Sequence, residues 1–255
     1  MDTPPLSAPP DAFGRAARDY ELGRPTWPEP LLDEVAAELG LGPESPVLDL
    51  AAGTGKLTRQ LVPRFGRVVA VEPDEAMLAV LADVVPEAEA LAGSAEAIPL
   101  PDDAVGAVFV AEAFHWFASD ATVAEIVRVL RPGGGLVVMW NTKSEREPPF
   151  PEEANRVIGE AIERGGAPGL ARILAGGWRE SLAAAPFEEL RERQFDREET
   201  ISRDQWIAYL LSISSIASQP ETAQVELAER LRALAPDIPY RRLLHTDLYW
   251  TRLRD

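Results

Sequence analysis

Five residues set the chemical possibilities of this chain. Asp49 ends an apolar run, Gly53 and Gly55 follow it in VLDLAAGTGKLT (47 to 58), Glu72 ends a second run, and His115 sits in AEAFHWF (111 to 117). A glycine-rich turn between a strand and a helix is an anion and cofactor site, because N–H groups at a helix start are unpaired and partially positive. Gly53 and Gly55 let a ligand approach the bare backbone, and Asp49 at the strand end orients the turn through backbone N–H groups. Glu72 lies about 20 residues past the turn, where an acidic side chain accepts both ribose hydroxyl protons of an adenosine group. His115 can accept a proton or donate a hydrogen bond as a neutral imidazole.

These residues need a frame that brings strand ends together. From residue 28 the sequence alternates helical and strand patterns: PEPLLDEVAAELG (28 to 40), VLDL (47 to 50), GKLTRQLVPRF, RVVAVE (67 to 72), DEAMLAVLADVV, AEALA (88 to 92), GAVFVAE (106 to 112), DATVAEIVRVL (120 to 130) and GGLVVMW (134 to 140). The strand runs lack period-two alternation, as strands buried on both faces by helices do. This predicts an α/β fold with a doubly wound parallel sheet, and ligands outside the carboxyl ends of its strands. RPGGG (131 to 135) reads as a helix stop and tight turn.

After Asn141 the pattern changes to a polar, Pro-rich loop that includes EPPF (147 to 150), then helical segments through about residue 183. A charged strand candidate FEELRERQFD, further helices from Asp204 to Ala235 and a last run HTDLYWTRLR follow. Residues 1 to 12, rich in Pro and small residues, read as a disordered lead-in. The remainder, 13 to 255, reads as one domain with its core at 28 to 141 and helical additions over roughly 150 to 183 and 204 to 235.

Two cofactor classes share a glycine turn followed by an acidic residue. Dinucleotide sites favour G-x-G-x-x-G/A, whereas from Gly53 this chain reads GTGKLT, with Thr58 in the third position. The frame D-x-G-x-G-x-G fits better, since DLAAGTG departs from it only at Ala51.

At this point the chain resembles the class I S-adenosylmethionine-dependent methyltransferases, in particular the small-molecule branch similar to trans-aconitate methyltransferase-like proteins (the methyltransferase type 11 domain). The resemblance runs through YELGRPTWP (20 to 28), VLDLAAGTGKLT, VVAVEPDEAML, GSAEAIPLPDDAV (93 to 105), AEAFHWF, VLRPGGGLVVMWN (129 to 141) and TDLYW. It implies a Rossmann-like, doubly wound seven-stranded sheet whose last strand is antiparallel, with helical cover after the fifth strand. It further implies S-adenosylmethionine held by Asp49, Gly55 and Glu112, with its methionine part on Ala51 and Gly53 and its ribose on Glu72. Adenine would lie beside Pro73, Ser94 and Ala95, and Tyr20 and Arg24 would close over the donor. Ala51 stands where relatives often have glycine, and Ser94 where many have an Asp.

Methyl transfer from a sulfonium chiefly needs alignment and desolvation of the partners. A base is required only for an acceptor that arrives protonated. His115 is the candidate for that role or for positioning, with Trp116 and Trp140 as acceptor-site candidates. A packed, hydrogen-bonded histidine and two core tryptophans are the competing structural readings. His245 reads as structural.

Composition narrows the rest. The net charge of -17 opposes nucleic acid and anionic membranes as partners. The absence of cysteine removes thiol nucleophiles, and two histidines do not make a zinc centre of the usual catalytic type. No signal-like or membrane-spanning run occurs, which predicts a cytoplasmic protein. The expected function is methyl transfer to a small organic acceptor, with a carboxylate oxygen as one target. Alternatives are a nucleotide-dependent oxidoreductase and a noncatalytic binding module of the same fold. Oligomeric state stays open.

Overall fold

The computed structural model describes residues 18 to 166 and 175 to 254, apart from the side chains of Lys143 and Ser144. The lead-in expected at residues 1 to 12 lies outside the described residues. The chain forms two compact units: Met1–Arg24, Phe150–Gly166 and Ser202–Ile238 make one, and Pro25–Pro149, Ala167–Ile201 and Pro239–Asp255 make the other.

The larger unit holds a seven-stranded sheet of order β3-β2-β1-β4-β5-β7-β6. Its strands are β1 Pro46–Leu50, β2 Arg67–Glu72, β3 Glu89–Ala92, β4 Val105–Ala111, β5 Leu130–Glu147, β6 Arg191–Ile201 and β7 Tyr240–Arg252. The first five pair in parallel, and β7 runs antiparallel between β5 and β6. This is the seven-stranded sheet with an antiparallel last strand that the resemblance implies. The order reverses between β1 and β4, which is where a doubly wound sheet opens a crevice for a ligand.

Both faces of the central strands are buried, which explains the unbroken apolar runs. Leu48, Val108, Val110, Val138 and Trp140 belong to one core, whereas Val47, Ala107, Phe109, Val137 and Met139 belong to a second. The flanking helices of this unit include α1 Glu29–Glu38, α2 Thr58–Leu61, α3 Glu75–Val84, α4 Phe114–Phe117 and α5 Asp120–Val129. Helix α1 gives Leu31, Leu32 and Val35 to the second core, and α5 gives Val123, Ile126 and Val129 to the first. Gly40, at φ +65, ends α1 in the left-handed conformation expected of a helix stop.

The strand expected over FEELRERQFD is shifted to Arg191–Ile201 and the last run begins earlier, at Tyr240. Three further boundaries differ from the sequence reading. RPGGG is no turn ahead of β5 but a bulge within it: Val105 pairs with Leu130, and Ala107 next pairs with Gly135. Gly133 takes φ +71 there, and the Gly134 carbonyl accepts the Leu253 N–H at 2.7 Å. Second, β5 continues past Asn141 to Glu147, because β7 supplies antiparallel partners from Gly135 to Glu147, with one irregularity between Asn141 and Lys143. Third, the helix expected over GKLTRQLVPRF is reduced to Thr58–Leu61, since residues 51 to 57 are spent on the turn.

The smaller unit contains helices Glu152–Gly165, Arg203–Leu211, Ser214–Ala217 and Glu221–Leu234. A capping box starts the second of these, with Ser202 accepting the Gln205 N–H and Gln205 accepting the Ser202 N–H. Among the described residues no helix is long and apolar enough to cross a membrane.

Candidate active site

The turn after β1 is built on left-handed backbone. Ala51, Gly53 and Gly55 have φ of 60, 58 and 84 degrees. Ala51 pays a steric cost that glycine avoids, about 1 to 2 kcal/mol for an ordinary L-residue. The two glycines are required for different reasons. A Cβ on Gly55 would meet Leu81 Cγ at 3.0 Å and Val85 Cγ2 at 3.1 Å, so Gly55 admits α3 and its following residue. A Cβ on Gly53 would meet, among the described residues, Met77 Sδ alone at 4.0 Å. Among the described residues nothing approaches a Cβ at Gly53 more closely than this, which fits a ligand lying on bare backbone.

Asp49 is buried and accepts the Thr58 hydroxyl at 2.6 Å, tying the strand end to the first residue of α2. That bond gives Thr58 its purpose in the position where a dinucleotide site carries a small residue. Burial pushes the Asp49 carboxyl up to about 7, against the Thr58 hydrogen bond and with a further push from Glu72. Glu72 is buried as well, which raises its pKa, while the N–H groups of Asp74 and Gly53 oppose the shift. Its Oε2 accepts from Gly53 N at 2.8 Å and its Oε1 from Asp74 N at 3.0 Å. Each oxygen keeps lone-pair capacity for a ribose hydroxyl.

Pro73 is exposed beside it, and Asp74 caps α3 through Ala76 N and Met77 N at 3.0 and 2.9 Å. Ser94 forms a bridge with Ala97, whereas Ala95 is buried in the first core. The loop after β3 therefore presents Ser94 and keeps the Ala95 side chain inward. Tyr20 and Arg24 belong to the smaller unit. There Arg24 donates to Ser212 Oγ and O, both at 2.9 Å, and its guanidinium lies 5.5 Å from the rings of Tyr20 and Tyr209.

Beyond β4, Glu112 takes φ +60 and ties the end of β4 to the middle of β5: its N–H donates to Met139 O at 2.9 Å and its Oε1 accepts Asn141 N at 2.6 Å. His115 follows in α4. Its Nδ1 accepts the indole N–H of Trp140 at 3.0 Å. Trp140 is fully buried, with Trp178 at 4.9 Å and Tyr249 at 5.9 Å between ring centroids, so it reaches the site through His115 and not as an exposed wall. Trp116 is 43% exposed and stacks obliquely 4.7 Å from His115. His245 pairs with Asp196 across β7 and β6 at 2.6 Å, in keeping with a structural role.

Three arginines were missed from the sequence. Arg146 and Arg242 are register partners on β5 and β7, Glu199 opposes Arg242, and Arg197 lies two residues from Glu199 on β6. Antiparallel register puts these side chains on one face. Arg242 is buried and ion-paired with Glu199. Arg197 donates to the Thr26 carbonyl, and its Nε is buried with no hydrogen-bond partner among the described residues. Burial lowers the pKa of Arg146 and of Arg197; at Arg197 the charge of Glu199 opposes the shift and that of Arg242 adds to it. Only the pairing of β7 with its neighbours unites residues so far apart in sequence.

A doubly wound sheet with a glycine turn at its switch point and a buried acid on the next strand is the arrangement found in enzymes that bind an adenosine-containing cofactor. Residues 48–138 match the family model described as a methyltransferase domain. An uncharacterised methyltransferase of Mycobacterium bovis is 37% identical over 228 residues, covering 89% of this chain and 87% of that one. An uncharacterised methyltransferase-like protein of Schizosaccharomyces pombe is 33% identical over 236 residues, covering 92% and 89%. Among solved structures, one from Anaeromyxobacter dehalogenans described as a type II methyltransferase superposes with a TM-score of 0.66 at 26% identity, covering 91% and 98%. The chain belongs to the methyltransferase family, and its methyl donor is S-adenosylmethionine.

Proposed function

We propose that this methyltransferase transfers the methyl group to a carboxylate oxygen of a small organic acid. In this reading Ala51, Gly53 and Glu72 hold the donor, with Asp49, Gly55 and Glu112 shaping the loops around it. Pro73, Ser94 and Ala95 flank the adenine, and His115 meets the acceptor. When bound, the donor supplies a methyl group already activated by the sulfonium charge, so the chain's task is alignment and exclusion of water.

The observation that supports an anionic acceptor is the arginine face of β5, β7 and β6, which lies on the sheet face opposite Trp140 and would hold an anionic group of the acceptor remote from His115. In a chain of net charge -17, Arg146, Arg197 and Arg242 share one sheet face, and partial burial makes two of those charges costly. Guanidinium groups match oxyanions geometrically as forked donors, and an anionic group of the acceptor would offset that cost. Relatives by themselves do not choose the atom. A malonyl-[acyl-carrier protein] O-methyltransferase of Methylococcus capsulatus is 37% identical over 132 residues, and a ubiquinone/menaquinone biosynthesis C-methyltransferase of Shewanella pealeana is 35% identical over 118.

The test is donor consumption across a panel of organic acids, alcohols, phenols and amines, with methylated products read by mass spectrometry. Turnover of carboxylates is expected. Turnover confined to neutral acceptors would reject the reading.

A further inference from the structure

The single polar atom of the Trp140 side chain is an indole N–H, which donates and cannot accept. It lies 3.0 Å from Nδ1 of His115. Nδ1 is therefore the lone-pair nitrogen of the ring, and the proton of the neutral imidazole sits on Nε2. We infer that Trp140 is a positioning residue that fixes His115 as the Nε2–H tautomer, so that His115 is a hydrogen-bond donor to the acceptor and not its general base. The methyl-accepting atom must then arrive already ionised. The inference rests on the proposed meeting of His115 with the acceptor, and goes beyond it by assigning the direction of the hydrogen bond.

The arrangement leaves the indole little freedom. Trp140 is fully buried on β5, between β4, which pairs at Met139, and β7, which pairs at Asp247. Trp178 and Tyr249 pack on its ring. His115 is held from the other side, in a four-residue helix three residues after Glu112, whose carboxylate accepts the Asn141 N–H. Among the described residues, the titratable or charged groups on the surrounding elements are this Glu112, Asp247, which is the register partner of Trp140 and acts on Tyr249, Tyr249 itself, and Arg179, which lies 4.8 Å over the Tyr249 ring.

For His115 to take a proton from an acceptor at Nε2, its existing proton would have to move to Nδ1. There it would face the indole N–H, donor against donor, and the buried indole would lose its acceptor. An ionised oxygen avoids this conflict. One of its electron pairs forms the bond to the methyl carbon as the carbon–sulfur bond breaks with its pair passing to sulfur; the acceptor's negative charge and the sulfonium charge cancel, and no proton is released. The Nε2–H holds that oxygen throughout.

The chain contains two histidines, so long-range proton–nitrogen spectra of the uniformly 15N-labelled protein separate them, with His245→Gln for assignment. His115 is expected to show a lone-pair-type Nδ1 and a proton-bearing Nε2. A proton on Nδ1, or on both nitrogens at neutral pH, would overturn the inference. Trp140→Phe keeps an aromatic ring without the donor, and should release the tautomer and shift the acceptor KM while donor affinity stays unchanged. If that variant does not fold, the wild-type spectrum decides alone.

Kinetics give an independent arm. A general base makes turnover fall about tenfold per pH unit below the histidine range, whereas a fixed donor leaves turnover of a carboxylate level there. Such a limb in the wild-type enzyme, or turnover of un-ionised hydroxyl acceptors in place of ionised ones, overturns the donor role. Failure of the functional reading looks different: no acceptor in the panel is methylated although the tautomer is the expected one.

Discussion

The backbone N–H of Gly53 is bonded to Oε2 of Glu72 at 2.8 Å, so the turn after β1 and the end of β2 form one rigid piece. In the proposed reading these are the two features that the donor touches, and they are set in place before it arrives. This preorganisation means that a change at either residue should be read in donor affinity.

Gly53→Val is expected to abolish donor binding while the protein stays folded. The new side chain enters open space bounded by Met77, in a left-handed conformation that a β-branched residue resists. Gly55→Val should behave differently, lowering the melting temperature through contact with Leu81 and Val85. Calorimetric titration with the donor and thermal unfolding distinguish the two. Unchanged affinity in Gly53→Val would remove the turn from the site.

Glu72→Ala should weaken donor binding by about 1 to 3 kcal/mol, the usual worth of hydrogen bonds to a charged group. The comparison is with a donor analogue lacking both ribose hydroxyls. Wild type and variant should bind that analogue alike. An equal loss for donor and analogue would show that Glu72 acts only by bracing the Gly53 turn.

Asp49 links stability to pH. Its carboxyl is pushed up to about 7 in the folded state by burial, well above the usual carboxylate value in an unfolded chain. The folded state therefore binds this proton more tightly. The resulting stabilisation is full below about pH 4 and is lost as pH rises toward 7. Asp49→Asn removes the dependence and keeps an acceptor for Thr58. Its melting temperature relative to wild type should be highest near pH 8 and fall steadily toward pH 4; a difference independent of pH would contradict the assignment.

Arg197→Met should raise the KM for a carboxylate acceptor by roughly 10- to 100-fold, the equivalent of one lost charge-assisted hydrogen bond. Donor affinity should not move. Arg197→Lys restores charge without the planar fork and should recover only part of the loss. An unchanged KM in both variants would detach the arginine face from acceptor binding.

His115→Gln tests positioning against base catalysis by turnover. The amide still donates a hydrogen bond, so an ionised acceptor should keep substantial turnover, whereas loss of a general base lowers it by roughly 10² to 10⁴. Steady-state kinetics with a carboxylate shown to be a substrate give the answer. A loss in that large range, with donor binding and folding intact, would make His115 the base.

The sequence by itself determined the local features: five parallel strands from their unbroken apolar runs, the glycine turn, and an acid at the end of β2. Each is encoded by neighbours in the chain, through turn chemistry or burial on two faces. Even the open face of Gly53 follows from a motif whose residues stand side by side. What only the tertiary structure decided depends on which distant segments pair. β5 runs on through polar residues to Glu147 because β7 supplies its hydrogen-bond partners, and no local pattern marks such a strand. That pairing also aligns Arg146 with Arg242 and brings Arg197 beside them. Likewise, Trp140 and His115 are 25 residues apart, and their hydrogen bond exists because β4 and β5 are adjacent. The sequence left His115 either base or donor; the nitrogen that faces the indole is a matter of ring orientation in a packed core, which no spacing along a chain can specify.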